Sequence, residues 1–239
     1  MKKNNSPIVW ITGASKGIGA AIADGFAFIG ATVVLSGRNI ALLKKQTTKI
    51  QKSGGSAFFV PCDITSEKSI RTAHQKIITK IGNVDILVNN AGVTTFTPFI
   101  KTSTKQFDEI FATNVRGMFL CTQMVLPSML KKKSGHIFNI LSVAANTVFL
   151  NSSIYSASKS AALTMSRCLR AEVRKKSVRV IDVLPGAVET DMWSRSDRKI
   201  LKEKMMQPSD IADVIVSLYC QPQRLTTDEI ILRPVEGDL

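Results

Sequence analysis

Pro7-Ile-Val-Trp-Ile11, followed at once by Thr12-Gly-Ala-Ser-Lys-Gly-Ile-Gly19, reads as a short apolar strand, a glycine-rich turn and the start of a helix. Gly13 suits a sharp turn, Gly17 lets the backbone approach a ligand, and Gly19 lets the new helix sit close to the sheet. The unpaired N–H groups at the start of such a helix favour an anion, a pyrophosphate above all. The glycine spacing is G-x-x-x-G-x-G. The strict G-x-G-x-x-G pattern is therefore not met, and by itself such a turn is also what a tight loop looks like.

Further apolar runs of strand length follow at 32–35, 57–60, 86–88, 136–141, 179–184 and 229–232, after the first at 8–11. Between them, 17–29, 40–52, 66–81, 104–132, 152–176 and 209–220 carry apolar residues at helical spacing with polar faces. Strands alternating with helices predict an α/β fold: a doubly wound parallel sheet of about seven strands with helices on both faces. Ligands of such folds lie beyond the carboxyl ends of the strands. With no low-complexity linker in 239 residues, one domain over 1–239 is expected.

Tyr155-Ser-Ala-Ser-Lys159 places a phenol and an ammonium four residues apart in a segment that reads as helix, so the two side chains share a face. A nearby cation favours the phenolate and lowers the tyrosine pKa, and such a pair can pass a proton to or from an alcohol or ketone oxygen. A buried Tyr with a solvated Lys one turn on has the same spacing. The Thr12-to-Gly19 turn, Asn89-Asn-Ala-Gly92 after an apolar strand, Asn114, Ser142, Tyr155 with Lys159, and Pro185-Gly186 come in the order and at the spacing of the short-chain dehydrogenases/reductases. The chain resembles that family over nearly its whole length, with the 3-oxoacyl-[acyl-carrier-protein] reductases among its members.

The resemblance implies a Rossmann-type fold and hydride transfer between a nicotinamide cofactor and a carbonyl or secondary alcohol. Asn114, Ser142, Tyr155 and Lys159 are then the catalytic set. Tyr155 exchanges the proton, Ser142 positions the substrate oxygen, Lys159 bonds the nicotinamide ribose and lowers the tyrosine pKa, and Asn114 holds a water leading to solvent. Residues Gly13, Ser15, Lys16, Gly17, Ile18 and Gly19 are implied to bind the cofactor, together with Tyr155 and Lys159. Asp63 is implied to bond the adenine, with Ile64 contributing backbone, although Asp63 could equally cap the helix near Ser66. Asn89, Asn90, Ala91 and Gly92 are implied to wall the adenosine side, with Thr12 bracing the turn. Pro185 and Gly186 are followed by Val188 and Thr190, at positions implied to hold the carboxamide.

After the second strand, Val33-Val-Leu-Ser-Gly-Arg38 has no Asp or Glu where NAD-using folds keep the acid that bonds the ribose 2′-hydroxyl. Arg38 can instead pair with a 2′-phosphate, and Lys16 adds a second cation. NADP(H) is favoured, with NAD(H) still open because Arg38 could simply stack on adenine. Segment 187–207 interrupts the alternation, contains Trp193 and reads as a substrate lid; composition alone would also allow a surface connection. Leu141 stands where many relatives have a second Ser, and 228–239 lacks their V-D-G-G ending, which bears on a tetramer but leaves a homodimer or homotetramer expected.

The net charge of +14 biases partners towards anions. No nucleic-acid motif is present and aromatic content is 6%, so a basic solvated surface is expected rather than nucleic-acid binding. Lys133 and Lys176 fall where the resemblance implies docking of an acidic acyl carrier protein, although cations at helix C-termini also suit the helix dipole. A 3-oxoacyl thioester, a small ketone or aldehyde, and a sugar or polyol all remain candidate substrates. Cys62, Cys121, Cys168 and Cys220 lack C-x-x-C spacing and no secretory segment precedes the first strand, so a cytoplasmic protein is expected. His74 and His136 form no ligand-like cluster, and no run is long enough to span a membrane.

Overall fold

The computed structural model describes residues 6–237. Seven strands form one sheet: β1 (Ile8–Thr12), β2 (Thr32–Ser36), β3 (Ser56–Phe59), β4 (Ile86–Asn89), β5 (Gly135–Ile140), β6 (Val178–Pro185) and β7 (Glu229–Leu232). Their order is β3-β2-β1-β4-β5-β6-β7, and every neighbouring pair is parallel. From β1 the chain winds outward to β3, returns to β4 beside β1, and winds the other way to β7. The crevice of a doubly wound fold opens where the winding reverses, at the carboxyl ends of β1 and β4.

Strand period sorts the core into two faces. Val9 and Ile11 of β1 join Phe26, Leu43 and Ile215 on one face, whereas Trp10 points to the other with Ile70, Ile77 and Val125. The first face is covered by α1 (Gly17–Phe28), α2 (Ile40–Lys52) and α8 (Pro208–Tyr219), the second by α3 (Glu67–Lys80), α5 (Met118–Lys132) and α6 (Ser153–Val173). Trp10 pays for its burial with a hydrogen bond from Nε1 to Ser36 Oγ (2.9 Å), and Ser36 donates in turn to the Val60 carbonyl (2.7 Å). That relay ties β1 and β2 to the end of β3.

The helix expected over 104–132 is broken. It divides into α4 (Thr104–Phe111), a π-helical turn at Ala112–Gly117 and α5. Gly117 lies in that turn because a Cβ there would come within 2.9 Å of the Ile64 carbonyl oxygen, so the widened turn presses directly on the loop after β3. Asn114 sits inside it. After β6 the chain forms a single β-bridge between Val188 and Met206, which closes a loop containing α7 (Arg195–Leu201). No helix among the described residues is long and apolar enough to cross a membrane.

Candidate active site

A cavity of about 630 Å³ lies along the carboxyl ends of the strands. It brings together the expected site residues except Thr12, Gly19, Asn89 and Asn114, which do not line it. Gly13 and Gly17 take positive φ (+64° and +58°). A Cβ on Gly13 would lie 2.8 Å from the Ala91 Cα, so the first turn is pressed against the turn after β4. Gly19 brings the start of α1 close to the strand ends, as expected. A Cβ there would strike the Asn90 side chain at 2.4 Å and the Gly13 carbonyl at 2.6 Å, so its smallness serves the turn itself.

Thr12 and Asn90 lock these two turns together. Thr12 Oγ1 accepts from the Asn90 and Ala91 amides (3.1 and 3.2 Å) and donates to the Val88 carbonyl (3.2 Å), while Asn90 Nδ2 donates to the carbonyls of Thr12 and Gly13 (both 3.0 Å). Asn89 departs from expectation. It faces into the sheet, donating to Thr122 Oγ1 (3.0 Å) and Asn139 Oδ1 (2.9 Å), because the strand period turns alternate side chains to opposite faces.

At the other end of the cavity Tyr155 and Lys159 share one face of α6, both buried, with the Lys159 Nζ 5.7 Å from the centre of the tyrosine ring. Lys159 donates to the Ile140 carbonyl at the end of β5 (2.9 Å). Burial lowers its pKa to about 8, so it is still mostly charged at neutral pH. Burial also pushes the Tyr155 pKa up, and only the hydrogen bond with Ser142 opposes this. Burial thus dominates the proton affinity of the phenol, and the Lys159 ammonium is turned to a backbone carbonyl. Ser142 Oγ also accepts from the Ala144 amide (3.1 Å), which fixes its rotamer at the strand end.

Asn114 is buried and grips the backbone of Val93 in both directions, accepting from its N–H and donating to its carbonyl (both 2.9 Å), with a third bond to Ser158 Oγ (3.0 Å). Both of its amide hydrogens are thus committed. A Cβ on Gly92 would lie 3.5 Å from Asn114 Oδ1 and 3.6 Å from Lys159 Nζ, so Gly92 occupies the narrow space between them.

Asp63 turns one carboxylate oxygen to the Thr65 amide and hydroxyl (3.0 and 2.8 Å), whereas Ser66 caps α3. Asp63 therefore shapes its own loop and leaves the helix cap to Ser66. At the end of β2, Arg38 is exposed beside Gly37, and Ser15 of the first turn packs against Gly37. Lys16 lines the cavity and forms an ion pair with Asp191 (2.7 Å). Asp191, Met192 and Trp193 also line the cavity, and of these only Trp193 stood out in the sequence, within the lid segment. The complementary signs of Lys16 and Asp191 were visible, but their separation of 175 residues hid the contact.

These residues fit a dinucleotide. The start of α1 has no side-chain cap, the two positive-φ glycines hold the backbone open, and a Cβ on Gly17 would crowd Thr190 Cγ2 at 3.3 Å. One end of the cavity offers an uncapped helix start and open backbone, and the other a buried phenol beside a buried ammonium. Fold and site together define a nicotinamide-dependent oxidoreductase of the doubly wound α/β class. Residues 7–200 match the family model described as short chain dehydrogenase, and the chain belongs to the short-chain dehydrogenases/reductases.

It is 40% identical to a sepiapterin reductase of Chlorobaculum tepidum, over 97% of this chain and 98% of that protein. Among solved structures, a metagenomic short-chain oxidoreductase in complex with NADP is 32% identical, with a TM-score of 0.85 over 96% of this chain and 97% of that one. A 7α-hydroxysteroid dehydrogenase complexed with NADH and 7-oxo glycochenodeoxycholic acid is 34% identical, with a TM-score of 0.89 over 97% and 94%.

Proposed function

We propose that the chain is an NADPH-dependent carbonyl reductase whose catalytic group is Tyr155. The observation that carries this reading is the convergence of buried Ser142, Tyr155 and Lys159 at the end of a cavity that begins at an uncapped glycine-rich turn. When bound, the nicotinamide supplies the hydride. The protein's own residues do the rest. Tyr155 gives its phenolic proton to the carbonyl oxygen, Ser142 donates a hydrogen bond to that oxygen, and Lys159 positions the ribose and stabilises the phenolate that proton loss leaves. Asn114 holds the Val93 backbone and, through the widened turn, the floor beneath Lys159; a water there would bond to its main-chain carbonyl.

NADP over NAD is supported by Arg38, which faces the cavity with no acid beside it at the end of β2. Asp63 and Ile64 would hold adenine, and Pro185, Gly186, Val188 and Thr190 the carboxamide end. Residues 187–207 act as the lid of a one-domain enzyme. Exposed Phe107 and Phe119 support a homodimer or homotetramer.

For the substrate, Phe96 and Trp193 stack at the mouth (ring centres 6.5 Å apart, 30° between planes), beside half-exposed Met192. An aromatic mouth suits a ketone carried on a planar or apolar body, and the likeness to a sepiapterin reductase puts a ketone on a bicyclic heterocycle first. A second reading, a 3-oxoacyl thioester on an acidic carrier, is supported by exposed Lys133 and Lys176 at the ends of α5 and α6.

The test is NADPH depletion with sepiapterin, simple ketones and a 3-oxoacyl thioester, free and carrier-linked. Turnover of the heterocyclic ketone supports the first reading. Preference for the carrier-linked thioester, lost on charge reversal at Lys133 and Lys176, moves the assignment to the second. For the cofactor, NADPH should bind more tightly than NADH, and Arg38→Ala should weaken NADPH alone.

A further inference from the structure

Asp191 lies between two cations. One carboxylate oxygen takes the ion pair from Lys16 of the glycine-rich turn (2.7 Å), and the other takes Arg198 of α7 (2.7 Å). The carboxyl pKa is held below the usual range by these contacts, the Lys16 hydrogen bond first, so the group is anionic at neutral pH. Asp191 is also the residue after Thr190, whose Cγ2 limits the space above Gly17, and two before Trp193, whose amide donates to the Thr190 carbonyl (3.2 Å). The segment expected to act as a lid is thus tied to the cofactor turn through one carboxylate.

Lys16 and Arg38 both line the cavity, on turns brought together where Ser15 approaches Gly37. On the NADP reading above, on which this inference rests, both cations serve the same 2′-phosphate. We propose that Asp191 is a specificity-determining residue that competes with the 2′-phosphate for Lys16, and so holds down the enzyme's discrimination between NADPH and NADH. The sign follows from charge alone. If Lys16 leaves Asp191 for the phosphate, an ion pair is lost. If Lys16 bridges both, its charge is shared and a carboxylate remains near a phosphate. Either way the 2′-phosphate carries a penalty that a 2′-hydroxyl does not, and release of Lys16 loosens the lid on its cofactor side.

The Lys16 and Asp191 side chains are 58% and 47% exposed, so the effect is small and screened by salt. Direct titration of NADPH and NADH by nucleotide fluorescence reads it without turnover. Asp191→Asn should tighten NADPH by about two- to fivefold at low salt, leave NADH unchanged, and lose most of its effect at high salt. In a Lys16→Gln background the same substitution should do nothing, because the competition has no object. Adenosine 2′,5′-bisphosphate should also perturb Trp193 fluorescence, and ADP should not, with buried Trp10 as constant background.

Weaker NADPH binding in Asp191→Asn would mean that Asp191 aims Lys16 at the phosphate and would overturn the proposal. Equal changes for both cofactors would reduce Asp191 to lid packing. Failure of the underlying reading is separable, since it is seen in the wild type as equal affinity for the two cofactors before any Asp191 variant is made.

Discussion

Tyr155 and Lys159 are both buried, and burial moves their pKa values apart, the phenol up and the ammonium down to about 8. At neutral pH both still bear their protons, as reduction of a carbonyl requires. Tyr155→Phe keeps the ring and removes the proton, so turnover should fall by at least about 100-fold with NADPH affinity unchanged; wild-type kcat in that variant would take Tyr155 out of the chemistry. Lys159 sets the alkaline limb. Its charge is present below about 8 and lost above it, so kcat/KM for reduction should decline through that pH. Lys159→Arg keeps its charge throughout and should move the decline upward, whatever its lower maximum. A flat wild-type profile between neutral pH and the range well above 8 would show that the ammonium is dispensable.

Among the elements, β5 and β6 carry polar side chains through the core. Asn139 donates to Ser166 Oγ and to Asp182 Oδ1 (both 2.9 Å), Ser166 donates to Asp182 (2.6 Å), and Arg170 pairs with Asp182 and reaches Glu229 on β7 (3.3 Å). Each of these side chains thereby finds a partner on a different element, which no single strand could offer. At the start of β5, His136 sits against Arg179 in register on β6 and against Tyr219 of α8.

Desolvation, then the Arg179 charge, lowers the His136 pKa from 6.5 to about 4, so the folded protein keeps the ring neutral while the unfolded chain protonates it. Stability should accordingly fall as pH drops from 6.5 towards 4, by up to about 3 kcal/mol for this group. His136→Gln should flatten that part of the curve in denaturant titrations; an unchanged slope would assign the acid lability to other groups. The π turn at Ala112–Gly117 was not legible in the sequence, because one extra residue in a helical turn leaves the apolar periodicity almost intact.

For the whole molecule, the cavity draws on the ends of β1, β2, β4, β5 and β6 and on the segment after them. A ligand that binds only this assembled form stabilises all of it. At about 100 times its dissociation constant NADPH should add ~2.7 kcal/mol and raise Tm by about 5–10 °C, and NADH at the same concentration should raise it less. Equal shifts would argue against the NADP reading.

The sequence by itself determined the α/β alternation, the strand positions to within a few residues, and most of the residues that face the cavity. These are written in local patterns: apolar runs of strand length, helical spacing, and glycines where the backbone must turn. Only the tertiary structure decided that Asn89 turns inward, that Asn114 holds Val93, that Lys16 meets Asp191, and that burial raises the Tyr155 pKa above its ordinary value. Partners far apart in the chain and the loss of water around a side chain are properties of the packed interior, and neither has a local signature in the order of residues.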